Sequence, residues 1–183
     1  YYGDEGEEHD EPRETGEVTR EDPRLSEGRI KVEAAEGGKI GFTSFERKYG
    51  APWYEGTVEL SLAGEGILIT NEVDLETYLC YVVPSEMPES YGLEALKAQA
   101  ICARSYACRQ ILGSAYQSYG AHVDDSTTFQ VYNNTKTDDL TRQAVEETKG
   151  QVVTYGGELV TTYYYASSCG YGNDMGVWGS SGE

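Results

Sequence analysis

Short apolar runs separated by glycines follow one another from Ile30 onward, a pattern typical of strands joined by tight turns. The runs occupy residues 30–32, 39–42, 57–62 and 66–70. Within them apolar and polar side chains tend to alternate, as they do on a strand that buries one face. We therefore predict four or five short antiparallel strands in this part of the chain.

The middle of the chain changes to helical periodicity. Apolar side chains recur every three or four residues at Leu93, Leu96, Ala100, Ala103, Ala107 and Ile111. This spacing predicts one apolar face on a long, Ala-rich helix. The pattern of residues 75–83 predicts a shorter helix that ends at Pro84. Pro88 suits the first turn of the long helix, because the N–H that proline lacks is not needed there.

The last third of the sequence predicts a short helix over residues 140–149 and two more strands, 151–155 and 159–165, joined by a Gly-Gly turn. A polar turn at residues 124–128 leads into a further strand that includes Tyr132. The final strand ends in a small polar loop at residues 166–170, where a ligand could approach. Together these elements predict an α+β fold with short antiparallel strands around a central Ala-rich helix that begins just after Glu86.

Charge is distributed unevenly. Residues 1–36 contain 13 acidic and five basic side chains, so the net charge of this segment is 5 − 13, or −8. So polar a segment buries too little apolar surface to offset its ordering entropy. We predict an acidic arm or linker over residues 1–28 and one domain over residues 29–183, with a ligand-binding acidic arm as the alternative. Because the chain begins with Tyr1, we expect a processed or truncated piece of a longer protein.

The whole chain of 183 residues has a net charge of −18. This charge repels nucleic acids and anionic membrane surfaces, so nucleic-acid binding is excluded as a predicted function. No apolar run approaches the roughly 20 residues that cross a bilayer. The 16 tyrosines against three phenylalanines suit a surface that binds sugars or peptides, or else half-buried strand positions.

The four cysteines show no spacing typical of a metal site. Cys102 and Cys108 are six residues apart on the predicted helix, so they face different directions and are not expected to pair. A disulfide between Cys80 and Cys169 and free buried thiols both remain open, with free thiols as the favoured interpretation.

One carboxylate, Glu86, lies between Pro84 and Pro88 just before the long helix. Its apolar neighbours would solvate a negative charge poorly and so favour the protonated acid. A carboxylic acid that is protonated near neutral pH can act as a general acid. The alternative is a carboxylate that accepts N–H bonds at a helix start, which would favour the charged form.

Two cations, Lys97 and Arg104, follow Glu86 by 11 and 18 residues and lie seven residues apart, hence on one helix face. In so acidic a chain they suggest a functional role. The alternative is a salt-bridged helix face, for instance Lys97 with Glu94.

Several motifs together resemble stage II sporulation protein D and its amidase-enhancer relatives, the SpoIID/LytB domain. They are VPSEMP at residues 83–88, LEALKAQAICARSYA at 93–107, DSTTFQVY at 125–132 and TKGQVVTYGGELVTTYYYASSCG at 148–170. The match runs in the same order from about residue 30 to residue 170, and VPSEMP followed by LEALKAQA is specific.

The resemblance implies an extracytoplasmic lytic transglycosylase that degrades peptidoglycan glycan strands in sporulation, during engulfment, or in wall remodelling. The resemblance also implies that the protein acts together with a wall amidase and membrane-associated engulfment proteins. It further implies membrane attachment through a segment absent from this chain. Glu86 corresponds to the catalytic glutamate, and Lys97 and Arg104 correspond to basic helix positions that a lactyl carboxylate of the sugar would pair with. The alternative is a non-catalytic wall-binding module that enhances an amidase.

Hydroxyl, amide and aromatic side chains near these motifs are predicted sugar contacts. They are Ser126, Gln130, Tyr132, Tyr165, Ser167 and Ser168. Some relatives have Cys and His around the DST segment where this chain has Asp124, Thr128 and Phe129, so we predict no metal and no other cofactor. Tyr165 also replaces a His that is common before the small-residue loop.

Ordinary glycosidases use two carboxyl groups, and this sequence has one well-placed candidate. A lytic transglycosylase needs only one, because the sugar's own 6-hydroxyl replaces water and closes a 1,6-anhydro ring. We interpret Glu89, Glu94 and Asp125 as caps or surface charges, with assistance from one of them as the alternative. A serine nucleophile is disfavoured because GxSxG is absent and the only histidines are His9 and His122.

Overall fold

A three-stranded antiparallel sheet forms one side of the protein. The computed structural model describes residues 16–35, 37–47, 50–133, 137–164 and 170. Its first five strands are β1 (Ile30–Glu33), β2 (Ile40–Gly41), β3 (Trp53–Tyr54), β4 (Thr57–Ala63) and β5 (Gly66–Glu72). The sheet has the order β1-β4-β5, while β2 and β3 pair separately. The predicted short antiparallel strands are therefore confirmed.

The β4–β5 hairpin shows why this sequence forms strands. Its register pairs Ala63 with Gly66 across a two-residue turn, and Gly64 within that turn has a φ of 57°, a conformation that glycine adopts without strain. Val58 and Leu60 alternate with polar neighbours and are buried, so β4 places its apolar face on the core.

The described residues form four helices: α1 (Pro23–Glu27), α2 (Leu75–Glu86), α3 (Leu93–Ile111) and α4 (Asp139–Glu147). The last three pack on one another, and α1 packs on β4. Aspartates cap three of these helices. Asp22 accepts a hydrogen bond from the backbone N–H of Arg24, Asp74 accepts from those of Glu76 and Thr77, and Asp138 accepts one from Thr141. Such caps satisfy amide groups that a helix start leaves unpaired.

The structure corrects the predicted end of α2. The helix continues through Pro84 to Glu86 instead of ending at the proline. Proline removes one hydrogen bond to the preceding turn, but the last turn is stabilised by other bonds: Ser85 Oγ donates to the carbonyl of Tyr81 at 2.7 Å, and Met87 N–H donates to the carbonyl of Val83 at 2.8 Å.

Pro88 was predicted to lie in the first turn of the long helix. In the structure it instead precedes a short 3-10 turn, Glu89–Tyr91. The helix α3 begins only after Gly92, which has a φ of 85°. It therefore begins seven residues after Glu86.

The core lies where α3 meets α2 and α4, and buried side chains of β4 belong to the same cluster. On α3 the buried positions include Leu96, Ala100, Ala103 and Ala107, as the periodicity predicted. Small alanines allow the neighbouring helices to pack closely. Ile111 differs from the prediction because it is 42% exposed, as the last residue of the helix.

The C-terminal part of the described chain forms a small hairpin, β6 (Thr154–Tyr155) with β7 (Glu158–Leu159). The predicted pairing and the glycine turn are confirmed, although the strands are shorter than predicted. The predicted strand that includes Tyr132 is wrong: residues 124–133 form an irregular loop. This loop bonds to side chains of α2 instead of a neighbouring strand.

The predicted acidic arm falls largely outside the described residues. Its last part forms α1, which contacts β4 and buries Leu25 in the core. Among the described residues, none of the helices has the length and apolar character needed to cross a membrane. Cys80, Cys102 and Cys108 are free thiols, and Cys169 lies outside the described residues.

Candidate functional site

Glu86 is the last residue of α2 and is partly exposed. Its Oε1 atom accepts a hydrogen bond of 3.0 Å from the backbone N–H of Val131. One residue earlier, Ser85 Oγ accepts a bond of 3.2 Å from the backbone N–H of Asn133. The end of α2 thus binds the loop of residues 124–133, and these bonds orient the Glu86 carboxylate.

The same loop is attached to the core through Gln130, which is 1% exposed. Its Oε1 accepts a bond from the Tyr78 hydroxyl at 3.3 Å. Its Nε2 donates to the Ala103 carbonyl at 3.2 Å and to the Tyr164 hydroxyl at 3.1 Å. Gln130 was predicted to contact sugar, but so buried an amide with these partners supports the loop from inside.

Tyr132, another predicted sugar contact, is also buried, at 5% exposure. Its ring stacks on Tyr78 at 5.3 Å between centroids and on Tyr54 at 6.2 Å. Tyr81 meets it edge-on. Because the ring is buried among these aromatic neighbours, Tyr132 cannot stack on a sugar without leaving the core.

Ser126 is exposed and belongs to a turn at the start of the loop. Its hydroxyl donates to Asp124 Oδ1 at 2.7 Å and accepts a bond from the backbone N–H of Thr128 at 3.1 Å. Hydrogen bonds from Ser126 and from the Tyr116 hydroxyl lower the pKa of Asp124, although burial, its largest single influence, acts in the opposite direction. Ser126 remains accessible for the predicted contact.

Lys97 takes part in a salt bridge that connects two helices. Its Nζ lies 2.5 Å from Glu147 Oε2 of α4 and 2.9 Å from Glu94 Oε1 of its own helix. The bond to Glu147, followed by that to Glu94, raises the pKa of Lys97. The salt-bridged alternative considered from the sequence, Lys97 with Glu94, is thus present.

Arg104 lies in the interior, 1% exposed. Its guanidinium donates to both carboxylate oxygens of Glu76, at 2.6 Å from Nη2 to Oε2 and 3.0 Å from Nε to Oε1. It also donates to the carbonyls of Val145 and Gln151. The predicted contact with a sugar carboxylate does not fit this position, because the donors face protein groups inside the core.

The remaining predicted contacts, Tyr165, Ser167 and Ser168, lie outside the described residues. Two of the possible second carboxylates have cationic partners: Glu94 pairs with Lys97, and Asp125 pairs with Arg47. Glu89 is exposed in the 3-10 turn after α2. Within the described ranges, no three His, Cys, Asp or Glu side chains converge to form a metal site.

Sequence reasoning missed Tyr78 and Tyr164. Burial raises the pKa of both tyrosines, and the nearby charge of Glu86 adds to that rise. A signal for Tyr78 existed: it precedes Ser85 by seven residues, which places both on one side of a helix that continues through Pro84. Ending the predicted helix too early removed that relation.

Comparison with known proteins supports the resemblance stated from the motifs. Residues 63–155, about half of the chain, match the sequence profile of the SpoIID family, described as stage II sporulation protein. The match begins within the β4–β5 hairpin and ends in the C-terminal hairpin, so it includes Glu86 and the loop that holds it.

Individual relatives give the same result. The chain is 44% identical over 101 residues to the amidase enhancer of Bacillus subtilis (strain 168), covering 55% of this chain and 13% of that protein. It is 36% identical over 114 residues to stage II sporulation protein D of the same organism, covering 54% of this chain and 33% of that protein. An uncharacterised protein of Brachyspira hyodysenteriae is 35% identical over 119 residues, covering 64% of this chain and 32% of the relative.

The chain thus spans about a third or less of the length of these relatives. No solved structure matches it significantly.

Proposed function

Because the chain belongs to the SpoIID family of stage II sporulation proteins, we propose that it is a lytic transglycosylase with Glu86 as its acid and base. The bond cleaved is the β-1,4 bond of peptidoglycan glycan strands, and the product ends in 1,6-anhydro-N-acetylmuramic acid.

The observation that carries this proposal is the placement of Glu86. Its carboxylate is partly exposed at the end of α2, and the N–H of Val131 holds Oε1. That bond uses one of the two carboxylate oxygens and fixes the orientation of the group. A general acid must be held within hydrogen-bond reach of the proton's destination, so an oriented and accessible carboxylate suits the role.

A single carboxylate is sufficient for this reaction. Glu86 protonates the glycosidic oxygen as the bond breaks, and the resulting carboxylate then takes the proton of the sugar's 6-hydroxyl as that oxygen closes the anhydro ring. A hydrolase would need a second carboxylate for water. Of the three possible second carboxylates, Glu94 and Asp125 form ion pairs with Lys97 and Arg47. The third, Glu89, is exposed in the turn after α2, so its role is decided by the substitution described below.

A second candidate function follows from the relative named amidase enhancer. In this alternative the domain binds glycan without cleaving it and assists a wall amidase. Either role places the protein outside the cytoplasm at the cell wall, with glycan strands, an amidase and membrane-associated engulfment proteins as partners. We further propose that the protein is attached to the membrane.

The test compares the parent protein with Glu86→Gln on purified glycan strands, both peptide-bearing and stripped by an amidase. Mass spectrometry detects 1,6-anhydro ends. Glutamine can still accept the Val131 N–H through its amide oxygen but cannot donate and recover a proton as a carboxyl group does. We expect anhydro products from the parent and a loss of at least about a hundredfold in Glu86→Gln, within the range for general acid–base catalysis.

Glu89→Gln is the matched control, since it makes the same substitution on an exposed carboxylate three residues away. It should cleave at the parental rate. Reducing ends in place of anhydro ends would show a hydrolase and overturn the mechanism. Glycan binding without any cleavage by the parent would favour the amidase-enhancer function.

A further inference from the structure

The hydrogen bonds of Gln130 determine the direction of its amide group. A backbone carbonyl can only accept a hydrogen bond, so the atom that lies 3.2 Å from the Ala103 carbonyl must be the amide nitrogen. The oxygen must then face Tyr78. This contact resolves the two-fold ambiguity of a glutamine side chain.

The amide in turn determines the direction of two tyrosine hydroxyls. Gln130 Oε1 has no proton, so the bond to Tyr78 must use the hydroxyl proton of Tyr78. The second proton of Gln130 Nε2 points to the Tyr164 hydroxyl at 3.1 Å, where Tyr164 is the acceptor. The proton of Tyr78 is therefore used inside the protein, whereas Gln130 leaves the proton of Tyr164 available for another acceptor.

Tyr164 is connected to the Glu86 site through Gln130, whose Nε2 donates to its hydroxyl. The residue after Gln130 is Val131, whose N–H holds the Glu86 carboxylate. After burial, the Glu86 charge contributes to the raised pKa of Tyr164, while the bond from Gln130 opposes the rise. Tyr164 thus keeps its proton at neutral pH.

The segment that carries Tyr164 is attached to α3. Thr162 Oγ1, two residues before Tyr164, donates to the Cys102 carbonyl at 2.6 Å. Tyr163, between them, is 62% exposed. Tyr164 itself is partly exposed, and the almost fully buried Gln130 bonds to its hydroxyl from the core side.

We propose that Tyr164 donates its hydroxyl proton in a hydrogen bond to the glycan strand bound at Glu86, and that Gln130 orients it for this purpose. The acceptor on the ligand is a neutral sugar oxygen, such as a hydroxyl or an acetamido carbonyl. This inference rests on the proposed function of the Glu86 site, whether that site cleaves glycan or only binds it. It makes Tyr164 a ligand-contacting residue and Gln130 a positioning residue.

The test uses Tyr164→Phe, which removes one hydroxyl and keeps the ring. Tyr163→Phe is the matched control because it makes the same change at the next residue. Turnover is measured on amidase-stripped strands, and affinity for a purified tetrasaccharide of alternating N-acetylglucosamine and N-acetylmuramic acid is measured by calorimetry in the Glu86→Gln background. We expect Tyr164→Phe to lower turnover or affinity by about tenfold, with Tyr163→Phe unchanged.

Tyr78→Phe distinguishes ligand contact from support of the loop. The Tyr78 hydroxyl also bonds to Gln130, but it donates its proton inside the protein. If Tyr164→Phe lowers turnover or affinity, Tyr78→Phe should lower the same quantity by a smaller factor. Equal losses in Tyr78→Phe and Tyr164→Phe would mean that both act only by holding Gln130, and would overturn the proposal. So would parental turnover and affinity in Tyr164→Phe.

The two proposals fail separately. If the parent yields no anhydro ends, the transglycosylase proposal fails, while the affinity measurement still decides the role of Tyr164. If the parent cleaves and Tyr164→Phe matches Tyr163→Phe in both measurements, the role of Tyr164 fails and that of Glu86 remains.

Discussion

Arg104 shows how the environment of a single residue decides its role. It is the largest of the fully buried side chains among the described residues, and its guanidinium bonds to Glu76 of α2 and to the carbonyl of Val145 in α4. Burying an ion pair is favourable only when hydrogen bonds satisfy the remaining donors, and these contacts do so. Arg104 therefore joins three helices.

We expect Arg104→Met to lower the free energy of unfolding by about 3–5 kcal/mol, because it leaves the Glu76 carboxylate without its partner. Urea unfolding followed by circular dichroism measures the change. Arg109→Met is the control, since Arg109 is exposed five residues further along the same helix and should shift stability by less than about 0.5 kcal/mol. A stable Arg104→Met protein that had lost only glycan affinity would instead support the substrate contact predicted from the sequence.

At the scale of elements, the turn between β3 and β4 depends on one glycine. Gly56 has a φ of 82°, and a Cβ atom there would lie 2.2 Å from the carbonyl oxygen of Glu72. Asn71 secures the same turn from β5: its Nδ2 donates to the carbonyls of Glu55 and Thr57 at 2.9 and 3.1 Å. The end of the sheet is thus closely packed around a residue without a side chain.

Gly56→Ala should therefore lower the free energy of unfolding by about 2 kcal/mol or more, from backbone strain together with overlap with Glu72. Gly64→Ala is a matched control because Gly64 also has a positive φ, 57°, but nothing lies within 4 Å of its added Cβ. In Gly64→Ala the free energy of unfolding should fall only by the cost of the positive φ for alanine, about 1 kcal/mol. Equal losses in the two variants, measured by thermal and urea unfolding, would show that the close approach to Glu72 has no effect.

At the scale of the whole molecule, tyrosines in the interior make the protein less stable at alkaline pH. Burial raises the pKa of Tyr78, Tyr81, Tyr132 and Tyr164. In the unfolded chain a tyrosine ionises near about pH 10. Above that pH the unfolded state has lost protons that the folded state still binds, so the free energy of unfolding falls as pH rises. The tyrosine contribution to the free energy of unfolding is fully present below the pKa of the unfolded chain. It is lost as the pH rises toward the pKa values of the folded protein.

We expect urea unfolding to show constant tyrosine-linked stability from about pH 7 to about pH 9 and a steep loss above about pH 10. Tyr132→Phe should make that loss less steep, because it removes one buried titrating hydroxyl. Tyr155→Phe is the control: Tyr155 is 85% exposed, and its removal should leave the slope unchanged. Identical slopes in both variants would mean that the buried cluster does not control alkaline unfolding.

Local patterns determined the elements, since alternation and helical spacing depend only on neighbouring residues. The β4–β5 hairpin, the apolar face of α3 and the α+β class were all predicted from such spacing and are confirmed. The motif around Glu86 was sufficient to indicate the family, which the comparisons show. The end of α2 was misplaced because the pattern around Pro84 does not reveal the bonds that stabilise its last turn.

The tertiary structure alone decided which polar side chains are buried. Arg104 and Gln130 look like surface or ligand-binding residues in the sequence, yet their partners are 28 and 52 residues away, at Glu76 and Tyr78. A side chain's exposure depends on which distant element covers it, and no local period contains that information. The direction of the Tyr164 hydroxyl also depends on distant residues, because it follows from the Gln130 amide, which is oriented by a carbonyl of α3.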